Sequence, residues 1–245
     1  MRLIDVHGHY GKWPFPIRER DADGLLRLMD EAGIEVCLLS SALAIVYDMR
    51  EGNRRLAEAI EGRARLRGYV TVNANYLGES CEELDRYLDM EGFVGVKIHP
   101  SYQGRSAASA ENLGLMEQVA KRGRPLLIHT MGEGAVRETF EVARRFPELS
   151  MVLGHGGGDA WELAAREASG VGNVYLEFCA SHCEYGKVAE GVRLAGAEKV
   201  MFGSDLDLIS PHFVKGMYEA AGLSAEARAL VYRANAMRLF NLSGE

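Results

Sequence analysis

The chain has 245 residues, is 47% apolar and 26% charged, and carries a formal charge of −7. This composition supports a large buried core and excludes disordered, collagen-like and coiled-coil proteins. The acidic balance argues against a nucleic-acid partner. No apolar run approaches the roughly 18 residues of a membrane span, and Met1 leads straight into a strand-like segment rather than a signal peptide.

In chain order, short β-branched or apolar runs bounded by Gly, Pro or Asn read as strands over 2–6, 34–39, 67–72, 93–98, 125–128, 151–154, 173–178 and 199–203. Between them, helical patterns cover 21–32, 53–60, 80–89, 111–122, 134–145, 159–168 and 187–195. A last helical stretch, 224–240, follows 211–220. Eight strands, each followed by a helix, imply parallel pairing, because every crossover returns the chain to the same end of the sheet.

The choice then lies between an open doubly wound sheet and a closed barrel. A strand in an open parallel sheet is covered on both faces and reads as apolar on both. In 93–99, Val94, Val96 and Ile98 share one face while Gly95, Lys97 and His99 share the other. In 3–9, Ile4 and Val6 oppose Leu3, Asp5, His7 and His9. One apolar face, with the other turning polar toward its C-terminal end, suits a barrel whose site lies at the top. The expectation is a single-domain (β/α)8 TIM barrel over residues 1–245.

Seven histidines are present, and His7, His9, His99, His129 and His155 fall at or just past strand ends. Strand eight ends in FGSD, which brings Asp205 to the same rim. In a barrel those ends converge on one mouth. His7 and His9, two apart on an extended segment, point the same way and can share an ion. Neutral imidazoles with a carboxylate suit Zn²⁺, Fe²⁺, Mn²⁺ or Co²⁺ and leave a position open. Lys97 reads equally as a barrel-mouth ion-pair partner. Glu177 faces in or out according to a one-residue register that the sequence leaves open.

The remaining candidates are peripheral. The aromatic and proline-rich segment 10–16 suggests a stiff loop over the mouth. Arg50, Arg54 and Arg55, after strand two, are candidates for holding a substrate carboxylate. Cys37, Cys81, Cys179 and Cys183 form no CxxC pair, so free thiols and a reducing, cytoplasmic compartment are expected. Cys179 and Cys183 flank His182, which leaves a second metal site or a nucleophile to weigh against small apolar fillers.

Taken in order, DVHGH, GVKIHP, LLIHT, LGHGGG, FGSD and the closing NAMRLFNL span nearly the whole chain. They resemble the amidohydrolase superfamily, and within it the metal-dependent branch, amidohydrolase 2, that includes aminocarboxymuconate semialdehyde decarboxylase. The resemblance implies that His7, His9, His129 and Asp205 bind one divalent metal, most often zinc, and that His155 is a catalytic group beside it. It also marks Lys97, with His99 on the same face, as a second-metal or substrate position, because some relatives carry a carboxylated lysine there bridging two ions.

The leading expectation is a hydrolase, in which metal-activated water attacks an amide, ester or lactone carbonyl of a small molecule, with Asp205 and His155 as catalytic groups. The alternative is a non-oxidative decarboxylase of an unsaturated or aromatic carboxylic acid. A second alternative is a non-catalytic barrel that binds metal or ligand. The expected partner is a small-molecule substrate, with no nucleic acid or membrane, and a homodimer is the assembly to test.

Overall fold

The computed structural model describes residues 2–179 and 184–242. Seven parallel strands pair in sequence order: β1 (Leu3–Tyr10), β2 (Ile34–Ser41), β3 (Leu66–Thr71), β4 (Phe93–Ile98), β5 (Leu126–Met131), β6 (Met151–Gly157) and β7 (Val174–Leu176). A regular eighth strand over 199–203 does not form. The segment 200–206 instead runs extended between β7 and β1, bridging Leu176 to Val200 and Gly8 to Leu206. Met201 N donates to Leu176 O at 2.9 Å, and Val6 N donates to Phe202 O at 3.0 Å. The sheet thus curls into the (β/α)8 TIM barrel expected from the sequence. Contact with β1 persists as far as Leu206, although Asp205 within the segment adopts a left-handed backbone, φ 60°.

Helices follow the strands on the outside. Asp21 caps Ala22–Ala32 by accepting from Gly24 N at 2.7 Å, and Gly33 ends it in the left-handed conformation. Met49–Ile60 begins four residues before the expected start at 53, because Asp48 caps it through Glu51 N at 3.0 Å. Leu77–Tyr87, Ala110–Lys121, Glu133–Arg145, Trp161–Gly170 and Lys187–Ala195 complete the ring, followed by Pro211–Ala220. A helical stretch then runs over 225–239, with a π turn at Leu230–Ala234. No described helix is long and apolar enough to cross a membrane.

Two apolar layers hold the barrel. Leu39, Val70, Val96, Ile98, Ile128 and Leu153 belong to the layer that packs on the helices. Ile4, Val6, Leu38, Tyr69, Leu127, Val152 and Met201 fill the lower interior, where Ala236 and Phe240 from the last helix close the bottom. Ile4 and Val6 therefore point inward, contrary to the simple alternation read from 3–9. Between Asp5 and Gly8 the register with β2 slips, three residues of β1 spanning two of β2. Such a bulge swaps the faces beyond it, so His7 and His9 also face inward, above the apolar plug. At Gly8 a Cβ would meet Cys37 Sγ at 2.6 Å and Leu39 Cδ2 at 2.8 Å, so the HGH string requires glycine between its imidazoles.

Candidate metal centre and active site

His7 and His9 are each fixed from behind. His7 Nδ1 lies 2.8 Å from Glu177 Oε1, and a carboxylate only accepts, so Nδ1 carries the proton. His9 Nδ1 lies 2.9 Å from Ser40 Oγ, whose hydroxyl is directed at Gly8 O at 3.4 Å; Ser40 then accepts from His9. Both Nε2 atoms consequently present lone pairs. They converge on Asp205 Oδ1, which lies 2.8 Å from His9 Nε2 and 3.7 Å from His7 Nε2. The ligating atoms of His7, His9 and Asp205 all lie within 4.8 Å of one another, and all three residues are buried.

Asp205 is aimed by its left-handed backbone and by Asp205 N donating to His7 O at 2.7 Å. Its buried Oδ1 receives no aligned hydrogen bond, despite the close approach of His9. Two lone pairs facing an orphaned carboxylate oxygen are costly without a positive charge between them. The donor set therefore fits a divalent cation. In the structure, Lys97 Nζ lies 3.1 Å from His7 Nε2, so an ammonium supplies charge on that side. Burial lowers the Lys97 pKa to about 8, against the opposing charges of Asp205 and Glu177.

The other rim histidines form a contiguous group. His155, also left-handed with φ 69°, lies with Nδ1 3.1 Å from Cys179 O and Nε2 3.0 Å from His129 Nδ1. His129 stacks on His99 at 3.8 Å between ring centroids. His129 stands beside the His7, His9 and Asp205 group rather than within that 4.8 Å set. Burial drives the pKa of His7 well below its usual value, with Lys97 adding to the effect, and burial likewise lowers His9 and His99. His129 is pushed down to about 2 by burial and then by His155. These imidazoles are neutral, as ligands must be. Burial alone would raise Asp205, but the close-lying His9 and His7 rings outweigh it and hold the carboxyl below its usual range.

Above this floor opens a cavity of about 1090 Å³. His7, His9, His99, His129, His155, Lys97 and Asp205 line its polar side, while Trp13, Phe15, Tyr102, Met131, Leu208 and Ile209 form an apolar wall. The 10–16 segment does pack over the mouth: Trp13 is buried edge-on against His9 at 4.8 Å and stacks with Phe15 at 5.8 Å.

Several candidates lie elsewhere. Arg50, Arg54 and Arg55 sit on the outer face of Met49–Ile60, paired with Glu82, Glu51 and Glu58, and do not line the cavity. For Arg54 and Arg55 the i,i+3 and i,i+4 spacing to Glu51 and Glu58 accounts for this, since it forms pairs along one exposed helix face, while Arg50 reaches across to Glu82 on Leu77–Tyr87. His212 is exposed on Pro211–Ala220. Cys179 is buried, and burial followed by the Glu177 charge pushes its thiol well up, so it is not a poised nucleophile. His182 and Cys183 lie outside the described residues. Glu177, whose facing the sequence left to a one-residue register, faces inward just past the end of β7 at Leu176.

The family model described as Amidohydrolase matches residues 4–242. Among curated proteins none matches the sequence. Solved structures similar to the chain include a dihydroxybenzoic acid decarboxylase from Polaromonas sp. JS666 with bound manganese and the inhibitor 2-nitroresorcinol, at 17% identity and TM-score 0.80, covering 100% of this chain and 98% of that one. A 5-carboxyvanillate decarboxylase from Sphingomonas paucimobilis matches at 16% identity and TM-score 0.77, covering 99% of each chain. A putative 2-pyrone-4,6-dicarboxylic acid hydrolase from Pseudomonas putida matches at 20% identity and TM-score 0.71, covering 100% and 99%. At these identities the likeness establishes the fold. The expectation of a hydrolase acting on an amide, ester or lactone is corrected by the similar structures, among which decarboxylases recur beside a putative pyrone hydrolase.

Proposed function

Because the chain belongs to the amidohydrolase family, we propose that it is a metal-dependent carboxy-lyase that releases CO₂ from a hydroxylated aromatic acid. The observation that carries this reading is the two-sided cavity, with an apolar, aromatic wall suited to a planar ring facing a floor of imidazoles, Lys97 and Asp205. Similarity to decarboxylases of dihydroxybenzoic and carboxyvanillic acids supports the substrate class.

One divalent ion, manganese or zinc, would be held by His7, His9 and Asp205, with His129 beside them as the further ligand. When bound, it supplies a fixed positive charge that draws the oxygens of the acid and its neighbouring hydroxyl. Lys97 adds a cation to the floor rather than a carbamate bridging a second ion. Trp13 and Phe15 cover the ring and exclude water. In the reaction the ring carbon gains a proton, the bond to the carboxylate breaks, and its electron pair returns to the ring as CO₂ leaves. His155 is the proposed holder of that proton: Nδ1 is committed to the Cys179 carbonyl, and Nε2, 3.0 Å from His129 Nδ1 in the cavity lining, delivers it. Asp205, kept anionic, offers its charge to the ion and no proton to the ring.

The test is incubation of manganese- or zinc-loaded protein with carboxyl-¹³C hydroxybenzoic acids in D₂O. The expected result is labelled CO₂, with one deuterium at the vacated ring carbon. Release of an acid from ester or lactone substrates, with no CO₂ from any aromatic acid, would overturn the reading.

A further inference from the structure

Behind the site, one carboxylate touches more of the machinery than any other group. Glu177 is fully buried just past β7. Its Oε1 lies 2.8 Å from His7 Nδ1 and accepts from His155 N at 2.6 Å, while Oε2 accepts from Cys179 N at 2.7 Å. Cys179 Sγ donates to Oε1 at 3.3 Å. The space is shaped for this group, since a Cβ at Gly203 would fall 2.8 Å from Glu177 Oε2. Every proton around the carboxylate thus points at it, and the donors belong to an expected ligand, to the left-handed residue at the end of β6 and to the end of β7.

We infer that Glu177 is a positioning residue: it locks His7 in the Nδ1–H tautomer, so that Nε2 is presented to the ion, and it ties the backbone of His155 to the same anchor. The inference rests on the metal site proposed above. A histidine whose Nδ1–H is held by a carboxylate has one nitrogen left to ligate, and losing such a partner typically weakens metal affinity by about 10–100-fold. The same four groups, His7, His155, Glu177 and Cys179, also lie within 4.8 Å of one another as potential ligands. An ion among them would need His7 Nδ1 without its proton, which the distance to Glu177 opposes.

The experiment uses metal-free protein labelled with ¹⁵N-histidine, with long-range ¹H–¹⁵N spectra assigned by comparison with His7→Gln, together with Mn²⁺ and Zn²⁺ affinities from chelator competition. Wild type should show His7 as the Nδ1–H tautomer. Glu177→Met, which removes both acceptor oxygens, should lose that pattern and bind metal about 10–100-fold more weakly. Gly203→Ala, which crowds the carboxylate without removing its charge, should shift both readouts in the same direction. An Nε2–H tautomer in wild type overturns the inference without recourse to any variant. So does unchanged affinity and an unchanged His7 pattern in a Glu177→Met protein that is merely less stable. A thiolate-to-metal charge-transfer band on Co²⁺ loading would place the ion on Cys179 and also overturn it. If wild type binds no divalent ion, the proposed function fails, while the tautomer of His7 still decides this point.

Discussion

At the residue scale, the site depends on two buried aspartates doing opposite things. Asp205 is held anionic and lacks an aligned donor, so Asp205→Asn should keep the fold, weaken metal binding by about 10-fold or more and lower turnover in step. Metal analysis alongside initial rates would check this. Asp5 accepts from Ser204 N, Ser204 Oγ and His7 N, yet burial raises its pKa to about 7. The folded state therefore binds this proton more tightly than the unfolded chain. Its contribution to stability is complete below about pH 4 and declines as the pH rises toward 7. The difference in melting temperature between wild type and Asp5→Asn, in metal-free protein, should narrow or reverse across that window; a flat difference would contradict the assignment. His7, His9 and Asp205 were legible because their spacing and strand-end positions were in the sequence. The locking of His7 by Glu177 was not, because it joins residues 170 positions apart through a register that no local pattern fixes.

At the scale of elements, seven strands and their helices were readable from periodicity and turn residues. What escaped was local backbone geometry. The β1 bulge brings His7 and His9 to the same inward side as Ile4 and Val6, and the expected eighth strand is a bridging segment that carries the left-handed Asp205. Both depend on pairing with distant strands rather than on local propensity. The helix expected from 21 starts at Ala22 behind its Asp21 cap, whereas the one expected from 53 starts at Met49 behind Asp48. Asp48→Ala should cost about 1 kcal/mol in urea unfolding and leave metal affinity unchanged, since the helix it caps presents its arginines to solvent and not to the cavity.

For the whole molecule, the barrel divides its labour along its axis, with apolar stability at the bottom and chemistry at the top. Phe240, packed edge-on against Tyr69 at 5.7 Å, plugs the lower end, and Tyr69 Oη donates to Val6 O at 2.8 Å. Phe240→Ala should cost about 3–5 kcal/mol of stability with metal stoichiometry unchanged in the folded fraction. The aromatic wall was visible in the sequence only as the 10–16 segment. Tyr102, Leu208 and Ile209 join it from distant loops, and their convergence needed the closed barrel. Everything proposed at the top depends on an ion seated between β1 and the segment that follows β7. Anomalous scattering from crystals grown with Mn²⁺ tests this directly. The account expects one peak per chain, within bonding distance of His7 Nε2, His9 Nε2 and the Asp205 carboxylate; a peak against His7 Nδ1 and Cys179, or none at the mouth, would contradict it.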